Sequence, residues 1–216
     1  MPGIGLCYEP LDLPKAKFDP ARYGAEAGDV LYLCAQSLYK YLPLDDAIYP
    51  RIAKEVPRAR FLFIGAVGIE PFRRRLERAF APAGLDAARH VIILPPLSQA
   101  DYLGLNQACD IYLDSVGWSG GNTTFEAILA GLPIVTLPGD LMRGRHSAAL
   151  LAAMRISETM ADSVDEYVTI AAQLGSDRLL RMRGAARVIE HRSALFNDRS
   201  SVRALEEFIA TRCLAR

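Results

Sequence analysis

The stretch Gly120-Gly121-Asn122-Thr123-Thr124-Phe125-Glu126, with Ala130-Gly131-Leu132-Pro133-Ile134-Val135-Thr136 close behind it, decides how the chain is read. It lies between two strand-like apolar runs, Asp110-Ile111-Tyr112-Leu113-Asp114 upstream and Ile134-Val135-Thr136-Leu137 downstream. The segment between them reads as a glycine-rich loop that feeds a helix. A helix N-terminus carries unpaired amides and the positive end of the helix dipole, so it attracts anions. Gly120 and Gly121 let the backbone approach a phosphate closely, and the side chains of Asn122, Thr123 and Thr124 add donors. Glu126 falls near the first turn, within reach of a ribose. Asn and Thr are also favoured helix caps, and capping alone explains the trio without any ligand. The paired glycines and the strand–loop–helix setting favour a nucleotide-diphosphate site. Gly120-Gly121 matches neither the Walker pattern nor the GxGxxG dinucleotide pattern, which disfavours an ordinary P-loop NTPase or an NAD enzyme.

Working outward, strands and helices alternate. Val30–Cys34, Arg60–Gly65 and His90–Leu94 are short apolar runs suited to buried strands. Between them, Asp45–Val56 and Glu70–Phe80 carry apolar residues at helical spacing, with Pro57 as a stop and Pro71 near a helix start. Ser98 can cap a helix running to Ala108. With the strands at 110–114 and 133–137, five strand–helix alternations predict a parallel sheet with helices on both faces, an α/β Rossmann-like domain. From about residue 146 the chain reads as helical, through Ser147–Met154, Val164–Leu174, Arg178–His191 and Ser200–Arg212. Residues 1–28, rich in proline and glycine, read as an extended arm or linker. Residues 29–216 read as one domain with a helical carboxy-terminal extension. The abrupt start suggests a chain cut from something larger, or evolved from it.

Composition narrows the function classes. Over 216 residues, Lys+Arg 25 balance Asp+Glu 25, which disfavours nucleic acid as a partner. The Arg73-Arg74-Arg75 run fits the solvated face of an amphipathic helix. Cys7, Cys34, Cys109 and Cys213 form no CxxC pair, and they suit a reducing cytoplasm. His90, His146 and His191 are too dispersed for a local metal motif, and no membrane-length apolar run or leader pattern stands out, so a cytoplasmic protein is expected.

In a parallel sheet, ligands gather at the carboxyl ends of the strands, which brings the loop after Cys34 and the loop after Asp114 to one edge. Lys40, in Gln36-Ser37-Leu38-Tyr39-Lys40, is then a candidate counter-charge for a diphosphate, although surface lysines are commonly just solvated. Arg143 and Arg145 share the edge, with an exposed turn as the equal alternative. Tyr102 and Trp118 could stack on a base or sugar, or fill core. No Ser-His-Asp set or carboxylate pair emerges from spacing.

Taken in order, Cys34-Ala35-Gln36-Ser37-Leu38-Tyr39-Lys40, Cys109–Asp114, Gly120–Ala127 and Ala130–Gly139 resemble the carboxy-terminal catalytic half of the O-linked N-acetylglucosamine transferase family, including its SPINDLY-like and bacterial relatives. Arg145–Leu151 and Ser193–Asp198 extend the likeness, which runs from about residue 30 to near the end. The resemblance implies one half of a GT-B architecture, a UDP-sugar as co-substrate and no cofactor or metal. It also implies inverting transfer of N-acetylglucosamine or a related hexose to a protein hydroxyl. By the same resemblance Lys40, Asn122 and Thr123 meet the diphosphate, Glu126 holds the ribose and Tyr102 stands where an aromatic could stack on uracil; Gln36, Ser37, Gly120, Gly121, Thr124 and Arg145 complete the expected site. Three positions depart from the family pattern: Ser37 replaces Gln or Asn, Leu105 replaces an arginine of some relatives, and Asn122 replaces a common Thr. The amino-terminal half, with the general base, and the tetratricopeptide repeats are not within these residues. A non-catalytic nucleotide- or protein-binding module derived from the family is the alternative, and a nucleotide-sugar epimerase fits less well.

Overall fold

The computed structural model describes residues 5–13 and 18–212. The expectations for Pro2, Gly3, Pro14 and Cys213 lie outside these residues. Five strands, β1 (Val30–Cys34), β2 (Ala59–Ile64), β3 (Val91–Leu94), β4 (Ile111–Leu113) and β5 (Ile134–Val135), form one sheet in the order β3-β2-β1-β4-β5. Every pairing is parallel; Cys34 sits opposite Phe63 in β2, and Leu33 opposite Tyr112 in β4. Such a sheet needs cover on both faces, and its strands are apolar on both.

Alternation along each strand makes two cores. Tyr32, Cys34, Phe61, Phe63, Ile111 and Leu113 face one side, where they meet α1 (Ile48–Glu55), α2 (Ile69–Phe80) and α6 (Val164–Ser176). Leu31, Leu33, Leu62, Ile92, Tyr112 and Ile134 face the other, packed by α3 (Gln99–Ala108), α4 (Asn122–Ala130), α5 (His146–Ala153) and α7 (Arg178–His191). Phe61, Phe63, Phe80 and Phe125 are wholly buried, and each contributes about 1.5–3 kcal/mol through removal of its ring from water. The Tyr32 hydroxyl donates to the Ala171 carbonyl at 2.9 Å, and that of Tyr167 to the Asp114 carbonyl at 2.8 Å, which pins α6 across β1 and β4.

Local signals explain the helix limits. Ser98 accepts from the Asp101 amide at the start of α3, Ser163 from Glu166 at α6, and Asp177 from Leu179 and Leu180 at α7. Gly131 ends α4 in the left-handed conformation at φ 83°. α8 (Ser200–Arg212) completes the helical extension. Of the segment expected to be an arm, Tyr8 lies stacked on Phe125 at 4.4 Å between ring centroids, and its carbonyl accepts from the Asn197 amide at 2.9 Å. The described amino-terminal residues therefore fold back onto α4. Among the described residues no helix is long and apolar enough to cross a membrane.

Candidate functional site

Strand order reverses direction between β1 and β4, so the loops leaving these two strands splay apart and leave a crevice at their carboxyl ends. After β1 the chain makes a short 3₁₀ turn, Leu38–Lys40. After β4 it runs through Asp114 and the glycine loop into α4. These are the segments expected to share one edge, and side chains join them. The Gln36 amide nitrogen donates to the Thr123 hydroxyl and, at 3.1 Å, to the Tyr112 hydroxyl; the Lys40 ammonium donates to the Gln36 carbonyl oxygen at 2.8 Å. Gln36 is thus a buried bridge between Lys40 and the start of α4.

The glycine loop is held from beneath by Asp114, which is 3% exposed. Its carboxylate accepts from the Ser119 hydroxyl at 2.6 Å, the Gly120 amide at 2.8 Å and the Thr136 hydroxyl at 2.7 Å. Ser147, at the start of α5, continues the web to the Ser119 hydroxyl at 2.9 Å and the Thr124 hydroxyl at 2.8 Å. Burial pushes the Asp114 carboxyl up from its ordinary value, and the donors from Ser119, Gly120, Thr136 and Ser147 pull it back. Gly120 is required here: a Cβ would meet the hydroxyls of Thr124, of Tyr112 at 2.6 Å and of Thr123 at 2.7 Å.

Side-chain capping does not account for Asn122-Thr123-Thr124. No side chain caps α4, and the Thr124 and Phe125 amides turn back to the Gly121 carbonyl at 3.0 and 3.2 Å. The amides of Asn122 and Thr123 precede the first intrahelical bonds and point off the helix end. Asn122 is exposed, Gly121 and Thr123 are partly so, and Thr124 is wholly buried with its hydroxyl turned to Ser147. Gly120 is buried too, so the loop offers its Gly121–Thr123 face at the edge and uses Gly120 and Thr124 inside.

Among the described residues no carboxylate stands within ion-pair distance of Lys40, Arg143 or Arg145. Arg145 is exposed immediately before α5, and Ser37 is exposed at the start of the 3₁₀ turn. Glu126 is half-buried one turn into α4, and burial raises its carboxyl above the ordinary value. Tyr102 is partly buried on α3 against the second core, its hydroxyl enclosed without a hydrogen-bond partner and its acidity lowered chiefly by burial. The structure thus brings Gln36, Lys40 and Gly120–Thr124 into one cluster, with Glu126 and Tyr102 behind it on the α3–α4 side. Among the described residues no three His, Cys, Asp or Glu side chains come together as a metal cage.

Spacing did not point to Tyr112, Ser119, Thr136 or Ser147, whose hydroxyls build the web under the loop. The available signal was polar residues directly beyond apolar strands: Asp114 after β4, Thr136 after β5. A groove of about 530 Å³ lies elsewhere, between α1 and α6, lined by Arg51, Lys54, Val168 and Gln173 among others.

Sheet order, two helical faces and the carboxyl-edge cluster define the class: one Rossmann-like half of a GT-B glycosyltransferase fold. The model described as Glycosyl transferase family 41 matches residues 18–205, and the chain belongs to that family. It is similar in structure to an O-GlcNAc transferase mutant from Thermobaculum terrenum, with a TM-score of 0.77 and 29% identity over 95% of this chain and 38% of that one. In sequence it is 27% identical over 209 residues to a probable UDP-N-acetylglucosamine–peptide N-acetylglucosaminyltransferase SPINDLY of Petunia hybrida, covering 95% of this chain. The UDP-N-acetylglucosamine–peptide N-acetylglucosaminyltransferase of Caenorhabditis elegans is 26% identical over 88% of the chain. The chain spans 22% and 16% of the lengths of these two relatives. Anabaena HepE, solved with UDP, shares the fold at a TM-score of 0.64 and 18% identity, over 89% of this chain and 51% of that one.

Proposed function

We propose that the chain is the UDP-sugar-binding half of an inverting glycosyltransferase. In this reading the exposed amides of Gly121, Asn122 and Thr123 and the Lys40 ammonium take the diphosphate, and Glu126 holds the ribose. The observation that carries the proposal is the meeting, at the β1/β4 crevice, of an uncapped helix N-terminus with a lysine that has no carboxylate partner. Lys40 is oriented by Gln36, so its charge is placed before any ligand arrives. Positive charge fixed where the departing diphosphate gains negative charge stabilises the transition state, and it does so without a metal. The relatives named as UDP-N-acetylglucosamine–peptide N-acetylglucosaminyltransferases support UDP-N-acetylglucosamine or a related UDP-sugar as donor and a peptide as acceptor. Acceptor-facing groups and the general base would come from a second GT-B half, joined in a longer chain or as a separate subunit.

Calorimetric titration with UDP in the presence of a chelator tests the reading. Binding is expected without metal, and Lys40→Ala should weaken it by about 1.5–3 kcal/mol, roughly ten- to a hundredfold. Absence of binding, or an unchanged affinity in the variant, contradicts it. The second reading, a binding module without turnover, draws on the departures from the family pattern at Ser37 and Leu105. Release of UDP from a UDP-sugar by the chain alone rules that second reading out.

A further inference from the structure

Trp118 lies between Asp114 and the glycine pair and has no part in the buried web. It is 43% exposed. Two cations approach its ring: the Lys40 ammonium at 5.4 Å from the centroid and the Arg143 guanidinium at 5.6 Å. Tyr39 meets the ring edge-on at 6.3 Å between centroids. Lys40 comes from the loop after β1 and Arg143 from the loop after β5, so one indole gathers charges from opposite sides of the crevice.

The positions of these groups are fixed by backbone. The Trp118 carbonyl accepts from the Ser115 hydroxyl at 2.6 Å, and the Ser119 amide donates to the Arg143 carbonyl at 2.8 Å. The Gly139 amide donates to the Gly144 carbonyl at 2.9 Å. A Cβ on Gly144 would come within 3.2 Å of the Gly139 Cα and 3.3 Å of the Gly117 carbonyl oxygen, so the loop carrying Arg143 lies flat on the Trp118 turn. Holding two cations on one ring costs repulsion. A ring face offsets part of that cost, and a nearby anion offsets more. Neither cation has a carboxylate paired to it among the described residues.

Resting on the nucleotide reading above, we propose that Trp118 is a positioning residue that seats Lys40 and Arg143 as a cation pair, and that Arg143 binds the distal phosphate of the nucleoside diphosphate. The proximal phosphate then faces the α4 amides. Arg143 adds a bidentate donor that Lys40, a point charge, cannot supply.

The test is titration of the intact chain and its variants with UDP, UMP and uridine, with thermal melts to confirm folding. Arg143→Gln is expected to weaken UDP about tenfold and UMP less than about twofold, and to leave uridine unchanged. Trp118→Leu should reproduce that pattern, whereas Trp118→Phe, which keeps a ring face, should retain most of the UDP affinity. If Arg143→Gln binds UDP as the wild type does, or loses all three ligands equally, the proposal fails. Loss of uridine together with UDP in Trp118→Leu would assign the ring to the base and overturn it. A wild-type chain that binds no UDP overturns the nucleotide reading and this inference together, an outcome separate from a wild type that binds UDP while Arg143→Gln is silent.

Discussion

The two ends of the sheet use several of their charges differently. At the amino ends of the strands, Asp29 pairs with Arg58 at 3.1 Å and with Arg60 at 3.7 Å, and Asp110 pairs with Arg181 at 3.3 Å. Asp110 also accepts from the Leu31 amide at 2.9 Å, while Arg181 donates to the Leu174 carbonyl at 2.7 Å. These pairs each tie one element to another. At the carboxyl ends, Lys40, Arg143 and Arg145 have no carboxylate partner among the described residues, and the buried carboxylate of Asp114 is turned inward to hydroxyls and an amide. Asp46 and Arg75, at 2.6 Å, are a matched pair on the carboxyl side as well, and on the proposed reading the three unpaired cations there serve an anion. That asymmetry follows from the topology, since the crevice opens only where the carboxyl-end loops part.

The comparison breaks most sharply at Asp114. Asp114→Ala leaves the Gly120 amide and the Thr136 hydroxyl as buried donors with no acceptor, and leaves Ser119 only Ser147. Denaturant unfolding should show a loss of about 3 kcal/mol or more. A loss below about 1 kcal/mol would mean that the web under the loop is dispensable. Gly120→Ala comes next: its methyl would crowd three hydroxyls, and a loss of about 2 kcal/mol in the same assay is expected.

Arg181→Ala set beside Lys40→Ala sharpens the contrast. The first removes an ion pair and two carbonyl contacts, at a cost of about 2 kcal/mol in stability, with UDP affinity retained. The second takes the donor from the buried Gln36 oxygen, so it should cost about 1 kcal/mol in stability while weakening UDP roughly ten- to a hundredfold. If both variants lose stability alone, the division between the two ends is wrong.

The smallest effect is a pH dependence at Glu126, whose carboxyl is raised by burial. The native state keeps this proton to higher pH than the unfolded chain does. Between the ordinary value near 4.5 and the raised one, the native state therefore binds more protons, and stability falls as pH rises through that window. Glu126→Gln should flatten this part of the stability–pH curve, and an unchanged slope would assign it to another group.

Much of the fold was legible because its strands are apolar on both faces and its connections are short. Val30–Cys34 coincides with β1, and Ser98 caps α3 as its residue type suggests. The last strand is shorter than the apolar run at 133–137: Thr136 leaves the ladder to bridge Met160 and gives its hydroxyl to Asp114. At the site, Lys40 and the glycine loop could be placed on one edge because topology alone sends both loops there. The supporting web was not legible, since Asp114 lies 22 residues from Thr136 and Ser119 lies 28 from Ser147, and serines and threonines at such separations carry no periodic signal. Nor could spacing show that the Thr124 hydroxyl turns inward and leaves the α4 amides uncapped.

The most direct measurement is an amide NMR titration of the chain with UDP, which reports both ends of the sheet at once. The largest shifts are expected at Gly121, Asn122 and Thr123 and in the turn around Lys40, with Leu31 and Asp110 unmoved. Shifts concentrated at the amino ends, or none at the start of α4, would contradict the account.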